Sequence, residues 1–239
     1  VGLTLANLTV QVARFSLGRN NLLGLTRLFD VNNENNIPAW YATITLLLCS
    51  LLLWLISSIK SHRKDQYSRY WKGLSIIFLL LSLDEAASFH ELLIPFGPTV
   101  KASGFLFFIW VIPGMIFALS VGLIYFKFLM TLPAKTRYLF VAAGVIYISG
   151  CVGLEMIGGY YFDVHIRETV DAHASGLPAL SMAMILATEE FLEMLGILVF
   201  IYALMSYINL NLKEIQVSFS ESKAEQLFAE TTDVPSRKS

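Results

Sequence analysis

Charge is scarce in this chain: Asp, Glu, Lys and Arg make up 15% of its 239 residues, against about 25% in an average soluble domain. Cysteine is scarcer still. Its two residues, Cys49 and Cys151, both sit inside apolar runs, which excludes a disulfide framework and reads as small buried hydrophobes. An excess of base is also missing. The 17 basic and 18 acidic residues leave a net charge of −1, so no basic face exists for nucleic acid. No serine sits in a nucleophile elbow, which disfavours a serine hydrolase. What the chain has in quantity is apolar surface: 56% of residues are hydrophobic and the mean hydropathy is +0.63. An ordinary soluble domain and a disordered chain are thereby excluded, and a polytopic membrane protein remains.

Crossing the ~30 Å of hydrocarbon takes ~20 helical residues. Five runs reach that length: Ile37–Ile59, Tyr70–Ile94, Phe105–Met130, Tyr138–Tyr161 and Leu177–Ile208. They lack the period-2 alternation of membrane strands. The expected fold class is therefore all-α, a polytopic transmembrane helix bundle of five spans. Val1–Ala13 is a surface helix, an exported flank or the end of a sixth span. Three regions follow: residues 1–36 as an outer flank, 37–212 as the bundle, and 213–239 as a polar tail. Lys60, Arg63, Lys64, Arg69 and Lys72 cluster at the first connection, and Lys127, Lys135 and Arg137 at the third. The second and fourth connections carry only Lys101 and Arg167. The positive-inside rule puts the first and third connections and the C-terminus in the cytoplasm, and the loop Phe162–Gly176 outside. Asn7-Leu8-Thr9 is a glycosylation sequon, a weak signal alone.

The informative residues are acids. Asp84, Glu85, Glu91, Glu155, Glu189, Glu190 and Glu193 all fall inside the apolar runs, and the one basic group among them is His90. A charge at mid-helix costs about 2.5–3.5 kcal/mol on insertion scales, so such residues are functional candidates by default. At 100° per residue, Asp84, Ser88 and Glu91 form one stripe, and Glu189, Glu190 and Glu193 share one face. Glu155 lies in a glycine-rich helix with Gly150, Gly153, Gly158 and Gly159, where neighbours can approach closely. Counting 1.5 Å per residue puts these acids at similar depth, in the outer half of the bilayer. Pro113 lies at that depth too and is expected to break its helix, freeing a carbonyl near Ile109. The bland reading is that single acids, Glu85 and Glu91 above all, only snorkel. For the group without bases, protons, a metal or a partner's cations must supply the balance.

The stretches Arg27–Trp40 (RLFDVNNENNIPAW), Leu81–Glu91 (LSLDEAASFHE), Trp110–Gly114 (WVIPG), Gly153–Gly159 (GLEMIGG) and Glu189–Leu204 (EEFLEMLGILVFIYAL) are spread along most of the chain. With them the chain resembles an uncharacterised family of bacterial polytopic membrane proteins. The resemblance implies a shared multi-helix fold, a further N-terminal span and a bacterial inner (plasma) membrane, but no activity.

Three function classes remain open. The first is a metal-dependent membrane protein or enzyme. Its divalent metal (Mn, Fe, Mg or Ca) would be held by Asp84, Glu155, Glu190 and Glu193, with Glu91, Glu189 or His90 completing the site. The spacing Glu190-Phe191-Leu192-Glu193 gives Glu-x-x-Glu in place of Glu-x-x-His, which favours oxygen-preferring cations. The second is a proton or cation transporter or channel. The third is a non-catalytic subunit whose acids meet a partner in a membrane complex, or a second copy of the chain.

Overall fold

The computed structural model describes residues 2–16, 28–29, 36–90, 92, 101–167 and 177–211. Every regular element among them is helical: α1 (Gly2–Ser16), α2 (Ile37–His62), α3 (Ser68–Ala87), α4 (Val111–Thr131), α5 (Ala134–Ile148), α6 (Glu155–His165) and α7 (Leu177–Asn211). A short 3₁₀ turn, Gly104–Leu106, precedes α4, and a π-helical turn, Ser149–Leu154, joins α5 to α6.

Local chemistry accounts for the ends. Asn36 caps α2 by accepting the Ala39 N–H at 2.7 Å, and Pro38 sits in the first turn, where a missing N–H costs nothing. α2 then runs 26 residues and turns at Lys64, whose φ is 53°. α3 returns along α2, and serines tie the two together. Ser50 Oγ donates to the Ser75 carbonyl at 2.8 Å, and Ser75 Oγ to the Ser50 carbonyl at 2.9 Å. Ser57 Oγ bonds the Ser68 carbonyl, and Ser82 Oγ the Thr43 carbonyl. Small hydroxyl residues allow this close approach, and each such bond is worth ~0.6 kcal/mol in an apolar surround.

α5 packs on α7 at Gly196, where an added Cβ would lie 2.9 Å from Tyr147. α1 also docks on α7. At one end of the bundle an aromatic cluster closes the core. Phe128 of α4 stacks on Tyr70 at 5.2 Å between ring centres and meets Trp71 edge-on, and Trp71 packs on Tyr207 of α7. The α2–α3 and α4–α5 connections therefore share that end with the close of α7.

Among the described residues, four helical stretches are long and apolar enough to cross a membrane: Ile37–His62, Val111–Thr131, Ala134–His165 and Leu180–Leu210. This corrects the expected count of five spans. The run expected over Tyr70–Ile94 is α3, which ends at Ala87 because Ser88 adopts the left-handed conformation (φ 54°, ψ 41°). Its uncharged stretch, Gly73–Leu83, spans only ~16 Å at 1.5 Å per residue. The expected Phe105–Met130 helix starts instead at Val111, and the fourth continues past Tyr161 to His165. Large apolar side chains such as Leu119, Leu123 and Ile124 of α4 point outward, a surface suited to lipid.

Two smaller expectations also fail. Pro113 does not break a helix. It lies in the first turn of α4, and the Ile109 carbonyl is taken by the Ile112 N–H at 3.1 Å. Asn7 of the sequon is fully buried in helical α1, within reach of Gln11 Nε2, which leaves no room for a glycan. Glu91, most of the expected outer loop (168–176) and the tail 213–239 lie outside the described residues.

Candidate functional site

A cavity of about 450 Å³ runs through the middle of the bundle. Its acidic end is lined by Asp84 and Glu85 of α3, Glu155 at the start of α6, and Glu189, Glu190 and Glu193 of α7, together with His90 and Trp110. Among the described residues neither Lys nor Arg lines it. Of the seven expected site residues, six meet at this cavity; Glu91 lies outside the described residues.

Each side chain arrives for a local reason. Glu155 is the first residue after the π-helical turn. One extra residue in a turn re-aims the chain that follows, and such turns recur at functional sites. Gly150 in that turn lets α7 approach: a Cβ there would lie 2.9 Å from the Glu189 carbonyl and 3.0 Å from Glu193 Cγ. Glu189, Glu190 and Glu193 then share the α7 face turned to the cavity, as i, i+1 and i+4 spacing dictates.

Asp84 departs from the expected stripe with Ser88 and Glu91. The left-handed Ser88 folds the chain back, and Asp84 accepts the His90 N–H at 2.9 Å and faces His90 Nδ1 at 3.1 Å. On a continued helix His90 would point well away from Asp84; the turn makes them a pair. The His90 ring lies 5.1 Å from that of Trp110. Trp110 Nε1 donates to Glu155 Oε1 at 2.8 Å, and the Glu155 carboxyl reaches that of Glu189. Asp84 and His90 are thus joined by a ring contact to Trp110, which bonds Glu155 next to Glu189.

Glu189 is the innermost member. It keeps only 9% of its surface accessible, and its Oε2 is buried with no hydrogen-bond partner among the described residues. Glu155 is an acceptor when ionised, as is Glu189, and two carboxyl groups form a hydrogen bond only if one carries a proton. Among the described residues no three His, Cys, Asp or Glu side chains are placed to hold a metal ion. The acids line one cavity without closing into a coordination shell.

Two contributors escaped the sequence reading. Glu85 is expected only to snorkel, outside the stripe of Asp84, Ser88 and Glu91, yet it lines the cavity. Trp110 was read only as part of WVIPG. The usable signal was its indole N–H inside an apolar run, since a buried Trp N–H seeks a partner.

Away from the acids the cavity becomes apolar. α4 forms one wall, and its two buried side chains, Val111 and Phe128, lie near its two ends. The helix is clamped to the bundle at both ends and stands off between them. Gly122 of α4 and Gly144 of α5 line the gap, and a Cβ at either would meet nothing within 4 Å. Comparison with curated proteins and with solved structures gives no match. A family model does match residues 1–208, and the chain belongs to that family, described as a domain of unknown function, DUF8692.

Proposed function

We propose that this is an integral membrane protein built around an intramembrane cation site. The acids of the central cavity hold protons until a larger cation replaces them. The observation that carries this reading is the buried Glu189 carboxyl, which has one oxygen unpartnered among the described residues and the carboxyls of Glu155, Glu193 and Glu190 near it. A burial of this kind is sustained by a proton or a bound cation. Among the described residues no Lys or Arg lines the cavity, and His90 faces Asp84, so neither offers Glu189 a charge partner. The divalent metal entertained from the sequence is disfavoured, because no three ligating side chains converge among the described residues. The class is thus proton or organic-cation handling, by binding or by passage, rather than metal-dependent chemistry.

The basic residues at the aromatic end of the bundle orient the chain with that end in the cytoplasm and the acids toward the outer side.

Infrared spectroscopy and elemental analysis of the protein as purified, in lipid, test the reading. A protonated-carboxyl C=O band at neutral pH is the expected result, with no stoichiometric metal by elemental analysis. Fully ionised carboxylates with a stoichiometric divalent metal would overturn it.

A further inference from the structure

The cavity has two ends of opposite chemistry, and its occupant must satisfy both. We infer that it binds a single-chain lipophilic amine, with the ammonium head among Glu189, Glu190 and Glu193 and the hydrocarbon chain in the apolar gap beside α4. This inference rests on the cation-site reading and names the class of cation.

Three observations support it. At the acidic end, Glu189 Oε2 is buried and without a partner among the described residues, and among those residues no Lys or Arg lines the cavity, while the His90 imidazole there faces Asp84. An ammonium supplies what is missing, a positive charge and up to three N–H donors. Beyond the acids, α4 is buried only at Val111 and Phe128, and the wall between Gly114 and Tyr125 covers roughly 16 Å at 1.5 Å per residue. A gap of that length suits an extended alkyl chain better than a compact cation. Finally, Gly122 and Gly144 both face open space in the gap, so the backbone there encloses a volume that no side chain fills.

The head chemistry excludes near relatives. A fatty alcohol brings a donor but no charge. A zwitterionic phospholipid brings an ammonium together with a phosphate, which the facing acids repel. A small ammonium ion satisfies the acids and leaves the apolar gap to empty space. On binding, the ammonium takes the place of one carboxyl proton, which leaves to solvent, and the remaining carboxyls keep theirs; no bond in the amine is made or broken.

The test is saturable binding to the full chain in nanodiscs, measured above the uptake of empty nanodiscs. Hexadecylamine, hexadecanol, methylamine and a phosphatidylcholine carrying one labelled chain are compared. Hexadecylamine should saturate, and the other three should bind at least about tenfold more weakly. Glu193→Gln should weaken hexadecylamine and leave hexadecanol unchanged. Gly144→Leu fills the gap without touching an acid, and it should weaken hexadecylamine while leaving methylamine unchanged.

Equal binding of hexadecylamine and hexadecanol would overturn the inference, as would saturable binding of the phospholipid alone. So would indifference of hexadecylamine to Gly144→Leu in a protein that retains its fold. The two readings fail separately. A protonated-carboxyl band with no hexadecylamine binding sinks the amine and leaves the cation site standing. Loss of that band with a bound divalent metal sinks both.

Discussion

Trp110 holds the acidic end of the cavity together through one bond. Its indole N–H reaches Glu155 at 2.8 Å, and its ring faces His90. Trp110→Phe keeps the ring contact and deletes the donor. A hydrogen bond is worth about 0.5–1.5 kcal/mol net, and leaving a part-buried Glu155 oxygen without its donor puts the expected loss toward the upper end of that range. Unfolding from mixed micelles measures it; an unchanged stability would mean that Glu155 has another donor. Residues of this kind were only half legible in the sequence. The acids stood out because ionisable groups are rare in apolar runs, and six of the seven expected site residues do meet at one cavity. Their mutual geometry did not stand out. A helical wheel places His90 far from Asp84, and only the left-handed Ser88 brings them together. Nothing in LSLDEAASFHE announces that turn, because Ser is not the residue expected to adopt it.

Helix ends decided most of the differences from the sequence reading at the scale of elements. Hydropathy alone carried α3 on to Ile94, and the backbone stops it at Ala87. Pro113 read as a kink because the apolar run began eight residues earlier, at Phe105. With α4 starting at Val111, the same proline occupies a first turn. Pro113→Ala should therefore change stability by less than about 1 kcal/mol, against ~3 kcal/mol for a proline in a helix interior; a larger effect in a chemical-unfolding series would restore the kink. The serine contacts between α2 and α3 make an opposite test. Ser75→Ala removes one bond and leaves the Ser50 hydroxyl its carbonyl acceptor. A loss of ~0.6 kcal/mol is expected. Gly196→Leu should be far worse, because a Cβ already falls 2.9 Å from the Tyr147 backbone and the added volume forces α5 off α7. The π-helical turn before Glu155 was not legible either. GCVGLE reads as glycine-rich helix, and periodicity carries no mark for one additional residue in a turn.

The whole molecule is polar along its axis in two senses, with basic connections and aromatic packing at one end and acids at the other. The all-α class and the apolar character were legible from composition, since 15% charge and four long apolar helices leave few alternatives. Orientation is testable by labelling. A cysteine placed at Ser61 should resist a membrane-impermeant reagent in intact cells, and one placed at Lys101 should react; the reverse would invert the topology. At the basic end Asp65 gives a pH-dependent contact. Partial burial pushes its carboxyl up, but the Lys60 ammonium at 2.7 Å and the Tyr67 N–H outweigh it and hold the group below its ordinary value of 3.8. A depressed folded value stabilises the fold above the unfolded value and loses that contribution as pH falls through the folded one. Asp65→Asn should cost less than about 1 kcal/mol at neutral pH, and the difference from the parent should vanish in acid below the ordinary carboxylate range. A difference that persists there would assign the effect to packing.

The proton proposed at Glu189 is the point on which this reading of the cavity turns. The infrared difference between the parent protein and Glu189→Gln at neutral pH reads it most directly. The account predicts that the substitution removes a protonated-carboxyl band, because the amide that replaces the Glu189 carboxyl needs no proton to be buried there. A spectrum in which Glu189→Gln removes only an ionised-carboxylate signal would contradict it.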